Sequence, residues 1–212
     1  MLPFTADILF SSLAQYNRAL WPLPVLALLL SLGAIVLTLR PVGWSGSAIG
    51  VLLAAAWLWT GIGYHFLHFA RLDLAAPIYG VAFVVQGLLL MWAVLRSRLA
   101  FRRHAGLFGW IGLALAIVAV AWPLVDWLAG QRWQAGRVAG LAPAPTTVLT
   151  FGLLLLMEGR TPLYLAIIPL LWTLVVGATA WILSIPQDLA LPVVGAGGFG
   201  LLLWKNKSSG QA

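Results

Sequence analysis

The sequence predicts an all-α transmembrane helical bundle, with seven spans behind an N-terminal interfacial amphipathic helix. Hydrophobic residues make up 62% of the 212 positions, far above the ~45–50% usual for soluble domains. Charged residues make up only 8%, and the mean hydropathy is +1.01. A soluble chain of this size has no interior large enough to hide that much apolar surface, so lipid must cover part of it. The apolar runs at 23–39, 48–69, 75–95, 107–128 and 163–183 approach or exceed the ~20 residues that cross hydrocarbon as a helix. They are apolar all round, whereas barrel strands alternate polar and apolar positions, so a closed barrel is excluded.

Residues 1–20 form the interfacial helix in this reading. Thr5 offers a hydroxyl to the first free amides and Asp7 faces the positive end of the helix dipole. Ile8, Leu9, Leu13, Tyr16 and Leu20 recur every three or four residues, while Ser11, Ser12, Gln15 and Asn17 lie largely elsewhere on the wheel. Trp21-Pro22 reads as an interface anchor and the first turn of a span. The first apolar run is too long for a signal sequence, lacks a basic start and ends at Arg40-Pro41, so no cleaved signal is expected.

The bundle occupies 21–204, with spans at 21–39, 47–69, 75–95, 106–128, 143–158, 162–184 and 187–204. The fifth is short and opens on Pro143-Ala-Pro145-Thr-Thr147, which an unwound or re-entrant segment would also explain. The seventh carries Pro192 and a glycine run from Gly195 to Gly200, small residues that permit close helix packing. Residues 205–212 read as a disordered tail. No internal repeat is visible, so the inverted halves of many secondary transporters are not expected.

Alternating spans sort the bases. Arg18, Arg71, Arg132 and Arg137 fall on one side. Arg40, Arg96, Arg98, Arg102, Arg103, Arg160, Lys205 and Lys207 fall on the other. The richer side is cytoplasmic by the positive-inside rule, with the N-terminus outside, the C-terminus inside and the cell (inner) membrane as location. The arginine-dense connection 96–104 dominates that assignment. Asp7, Asp73, Asp126 and Asp188 all fall outside and only Glu158 inside. The outer rim is therefore formally neutral, and the inner rim suits anionic lipid headgroups. No basic soluble module is present, so nucleic acid is not an expected partner. The chain has no cysteine, which excludes disulfides and thiol chemistry.

The polar groups left over gather on the outer side. His65 and His68 are three apart and share an α-helical face with Trp57, Gly61 and Tyr64. Such a pair either holds a metal ion or relays protons with help from Asp73 or Asp126, or simply bonds water and headgroups at a helix end. Gln86 lies near mid-membrane, as a bond to a neighbouring helix or as part of a pathway. Thr146 and Thr147 follow two prolines, either as an anion or polar-solute cradle or as the capped start of a helix. Asp188 near a helix start reads as a dipole-stabilising cap. Asp126 at a helix C-terminus is electrostatically disfavoured and calls for a cation, with Arg132 or Arg137 available. Trp21, Trp44, Trp110, Trp127, Trp133 and Trp204 sit at span ends, as an aromatic belt requires.

Leu2-Pro-Phe-Thr-Ala-Asp with Tyr16-Asn17 and Trp21-Pro22 resembles the opening of a family of uncharacterised bacterial multi-span membrane proteins. Trp57-Leu-Trp59-Thr-Gly61-Ile-Gly-Tyr64-His65, Pro145-Thr-Thr147 through Gly152, and Ile185-Pro-Gln-Asp188 continue the likeness over nearly the whole chain. In that family a cysteine often stands between the two prolines, where this chain has Ala144. Any metal or redox role of that cysteine is therefore missing here. The resemblance implies the membrane bundle and supplies no activity.

The function expected is binding or passage of a small solute or cation through a polar pocket near the outer leaflet. Its residues are Tyr64, His65, His68, Asp73, Gln86, Asp126, Thr146 and Thr147, with His65 and His68 as the metal pair if there is one. Two other classes stand beside it. An accessory or scaffold subunit would use its glycine-rich face to join a membrane partner or a second copy. An intramembrane enzyme would pair a nucleophile and a base such as Thr146 and His65.

Overall fold

The computed structural model describes residues 3–96, 99–104 and 106–209. Leu2, Arg98 and positions 210–212 of the expected tail lie outside the described residues. The described chain is all-helical, with nine α-helices and no strand beyond the isolated bridge Phe101↔Met157.

Helix α1, Ala6–Ala19, begins at Thr5, whose hydroxyl accepts the Ile8 amide at 3.4 Å. Its buried stripe is Leu9, Phe10, Leu13 and Tyr16, while Ile8 is exposed. The polar residues thought to face away also serve the protein. The Ser12 hydroxyl lies 2.8 Å from His68 Nε2, and the Asn17 amide donates to the carbonyls of Gln134 and Gly136. So α1 packs across the end of the bundle. It turns through 90° into α2, Leu23–Leu39.

Helix α3, Ser45–Trp59, runs on as a π-helix over Thr60–Phe66 and a 3-10 turn over Phe69–Arg71. The Leu67 amide donates to Ile62, five residues back, which is the π pattern. Helix α4, Ala76–Arg96, packs closely on this hairpin: a Cβ at Gly61 would lie 3.0 Å from the Gly80 carbonyl. Helix α5, Leu107–Val120, bends 64° into α6, Trp122–Leu128. Pro123 has no amide hydrogen and its ring crowds the preceding turn, which accounts for the bend.

Helix α7, Pro143–Leu155, is buried at all thirteen positions, packed by α3, α5, and the helices α8, Tyr164–Leu183, and α9, Leu191–Ser208. Trp57 Nε1 donates to Thr150 Oγ1 at 2.9 Å across this core. A Cβ at Gly152 would meet the Ala116 backbone nitrogen at 2.7 Å, so glycine sets the α5–α7 distance. Thirteen residues rise only ~20 Å, short of the ~30 Å hydrocarbon core. Among the described residues four helical stretches are long and apolar enough to cross a membrane, or up to six if each bent pair is one span. Helix α7 falls below that length.

The basic end of the bundle is plugged by its own loops. Arg103 N donates to Thr38 O, Arg102 N to Leu156 O and Glu158 N to Ala100 O. Lys205 is 4% exposed and its ammonium donates to the carbonyls of Leu154 and Met157 and to the Thr161 hydroxyl. Residues 205–208, expected in the tail, therefore extend α9, because the α7 carbonyls hold Lys205. The six tryptophans expected at span ends are all more than half exposed.

Candidate functional site: a cavity at the opposite end

The other end gathers residues far apart in sequence. The π-helix widens the turn, so His65 and His68 no longer share a face as an α-helix would have it. His68 stays near the rim, against Ser12 and 4.7 Å from the Tyr16 ring. His65 turns into the interior and is 0% exposed. Its ring packs 4.7 Å from Phe83, 5.1 Å from Trp172 and 5.8 Å from Tyr79. Neither ring nitrogen has a hydrogen-bond partner among the described residues. π-segments of this kind recur at functional sites, where they aim a side chain that an α-turn would not.

Beside it stands a buried ionic triad. Arg137 Nη2 donates to Asp126 Oδ1 at 2.6 Å, Nε donates to both Asp126 oxygens, and the Arg137 backbone amide adds a bond at 2.9 Å. Arg137 Nη1 donates to Asp188 Oδ2 at 2.6 Å. The guanidinium also lies 5.4 Å from the Phe10 ring and 5.7 Å from the Trp122 ring. Burial works against its charge, but the carboxylates of Asp188 and Asp126 outweigh that and hold Arg137 above its ordinary value. Asp126 thus has the cation its position demanded. Asp188 lies in the first turn of a five-residue 3-10 helix, Pro186–Ala190, just ahead of α9, and its carboxylate is also bound to Arg137. Its Oδ1 has no partner.

A cavity of about 70 Å³ lies between these groups, lined by Tyr64, His65, Asp73, Tyr79, Arg137, Trp172, Thr179 and Asp188 among others. Phe4, Leu9 and Leu13 roof it from the N-terminal segment, and Pro143 and Ala144 bring the start of α7 to its wall. The Trp172 indole nitrogen is also unpartnered. A larger groove of about 180 Å³ beside α2 is lined almost wholly by leucine and alanine and carries no titratable group.

Of the residues expected in a pocket, Tyr64, His65 and Asp73 line this cavity, and Asp126 sits behind Arg137. Asp73 also accepts the Ala75 amide at 2.9 Å at the start of α4. Three others are elsewhere. Gln86 donates to the Leu165 carbonyl at 2.8 Å, joining α4 to α8. Thr146 donates to Ala142 O and accepts from Gly140 N, and Thr147 donates to Pro143 O. Their hydroxyls close the first turn of α7 and form no bond with His65, so they do not make a nucleophile–base pair. Among the described residues no group of three His, Cys, Asp or Glu is placed to hold a metal ion. Arg137, Tyr79 and Asp188 were missed as lining residues. Only the scarcity of charge in the chain pointed at the two ionic ones.

The model of a family of unknown function, DUF6064, matches residues 6–212. No curated protein and no solved structure matches the chain.

Proposed function

We propose that this chain, which belongs to the DUF6064 family of unknown function, is a seven-pass integral membrane protein. In this reading it binds a small polar or cationic solute in a pocket at its outer end. Helices α2, α3, α4, the bent α5–α6 pair, α7, α8 and α9 are the seven passes. Helix α7 crosses inside a collar of its neighbours and so needs less length and no lipid-facing side. The apolar exterior supports the bilayer setting, with Leu29, Ile78, Leu171, Trp181 and Val193 all more than half exposed. The basic end, with Arg102, Arg103 and Arg160, faces the cytoplasm, and α1 lies in the outer interface.

The observation that carries the binding reading is His65. An imidazole wholly out of solvent with two unpaired nitrogens costs about 1–3 kcal/mol per orphaned group, and buried polar atoms are otherwise almost always satisfied. The cavity beside it, mostly apolar but reached by Asp73, Arg137 and Asp188, gives the missing partners somewhere to sit. Binding is favoured over open passage because the other end is closed by the packed 153–157 core and the loop bonds to Thr38 and Leu156.

The test uses purified protein for binding and proteoliposomes for passage, with one panel of urea, glycerol, potassium, ammonium and methylammonium salts. Wild type should respond to at least one member, by thermal stabilisation or by vesicle volume change. The His65→Ala/His68→Ala variant should lose that response. A response the variant keeps, or none in wild type, ends the reading.

A further inference from the structure

The geometry points to a primary ammonium as the group the outer cavity receives, carried on a short chain with a hydrogen-bond acceptor next to it: a small amino alcohol. This inference rests on the pocket reading above and names its ligand class.

Charge comes first. Asp126, Arg137 and Asp188 together carry one negative charge in excess, and Arg137 is committed mainly to Asp126. The unspent carboxylate atom is Asp188 Oδ1, buried in a residue 3% exposed. Asp73 adds a second carboxylate to the lining. An anion would meet this excess directly, and a neutral solute would leave it uncompensated.

Aromatic faces come second. Tyr64, Tyr79 and Trp172 line the same cavity, and the latter two rings lie 5.3 Å apart, edge to face. A cation against such faces is stabilised by the ring quadrupoles, most strongly where water is excluded. Among the described residues no three His, Cys, Asp or Glu side chains converge as a metal ion would need.

The hydrogen-bond inventory comes third. The ligand must donate to Asp188 Oδ1 and to one nitrogen of His65. It must accept from the other nitrogen of His65 and from the Trp172 indole. A –NH3+ group supplies the donors, and a hydroxyl two carbons away supplies an acceptor. A cavity of about 70 Å³ is on the order of five water-sized sites, which suits a molecule of ethanolamine's size. The same headgroup chemistry occurs free in solution and at the end of a phospholipid.

Calorimetry and thermal unfolding of the full-length protein in detergent provide the test, with ethanolamine as probe. Ethylene glycol is its neutral isostere and tetramethylammonium a cation without N–H. Ethanolamine should bind saturably and the other two should bind at least about tenfold more weakly. Trp172→Phe keeps a ring and removes one donor, so it should weaken ethanolamine about tenfold, measured against the variant's own unliganded unfolding curve. Asp188→Asn should abolish binding; if it fails to fold, Trp172→Phe decides. In nanodiscs, a weakened ethanolamine curve only when phosphatidylethanolamine is present assigns the headgroup as source; an unchanged curve assigns the soluble amine. Equal binding of ethylene glycol overturns the ammonium inference and leaves the pocket reading standing. No binding of ethanolamine overturns the ammonium inference, and only the further lack of any response to urea, glycerol, potassium, ammonium and methylammonium overturns both.

Discussion

Arg137 joins Asp188 across 51 residues of sequence at 2.6 Å, and the same residue holds Asp126 through three donors, the guanidinium Nε and Nη2 and its own backbone amide. The bond ties the loop before α7 to the turn before α9 and to the end of α6. Removing one partner of such a pair leaves an uncompensated buried charge, which costs about 3–5 kcal/mol. Arg137→Met is therefore expected to lower the unfolding midpoint far more than Arg132→Met. Asp126→Asn should cost more than Asp188→Asn, because Asp126 also accepts the Arg137 amide and the Gln187 side chain. Thermal unfolding in detergent ranks the four variants, and a harmless Arg137→Met would remove the triad from the account of this end.

Helix α1 is fastened over the cavity by side-chain bonds that can be cut singly. The Tyr16 hydroxyl accepts from Trp59 Nε1 at 3.0 Å, and Ser12 meets His68. Each such bond contributes about 0.5–1.5 kcal/mol. Ser12→Ala with Asn17→Ala should speed amide exchange within 6–19 and leave the α7 amides protected. Uniform exchange through the molecule would mean instead that α1 and the core open together.

The helices were legible because their signal is local: long apolar runs, a threonine at the α1 start, proline at the α7 start, although the bend at Pro123 divides what the run 106–128 presents as one span. The cation for Asp126 was legible too, since a carboxylate at a helix C-terminus in a chain this poor in charge demands one. What was not legible depends on contacts between distant segments. Nothing in Thr60-Gly-Ile-Gly announces a π-turn, yet that turn separates His65 from His68 and puts one in the core. Asp188 reads as a cap because nearby sequence cannot reveal Arg137 from another loop. Gln86 was readable as an interhelical bond by burial alone, whereas its partner, the Leu165 carbonyl, was not.

Lys205 supplies a cation where the carbonyls of the buried α7 end. Charge of that sign suits a helix C-terminus, and without it the Leu154 and Met157 carbonyls lose a donor in a dry site. Lys205→Met is expected to destabilise by about 1–3 kcal/mol, whereas Lys207→Met, at an exposed position, should be neutral. Equal midpoints for the two variants would show that the ammonium does not close this end.

The close crossing of α5 and α7 predicts intolerance at Gly152. A valine there must displace the backbone of Ala116, not a movable side chain, and overpacking of this kind costs about 1–3 kcal/mol or more. Gly197, with open space around its Cβ position, is the control. Gly152→Ala should already lower the unfolding midpoint, and Gly197→Ala should not.

The absence of cysteine makes orientation directly testable. Arg132 lies in the loop between α6 and α7, and Arg160 lies in the loop between α7 and α8; both are exposed. Replacing either by cysteine removes one base from its own side, leaving three outside against eight inside or four against seven, so the bias that orients the chain survives. A membrane-impermeant maleimide on intact cells is expected to label Arg132→Cys at once and Arg160→Cys only after permeabilisation. Labelling of both in intact cells would break the alternation through α7 and make that helix re-entrant. The reverse pattern would turn the bundle over and open the His65 cavity towards the cytoplasm, where its ligand would have to come from the cell interior.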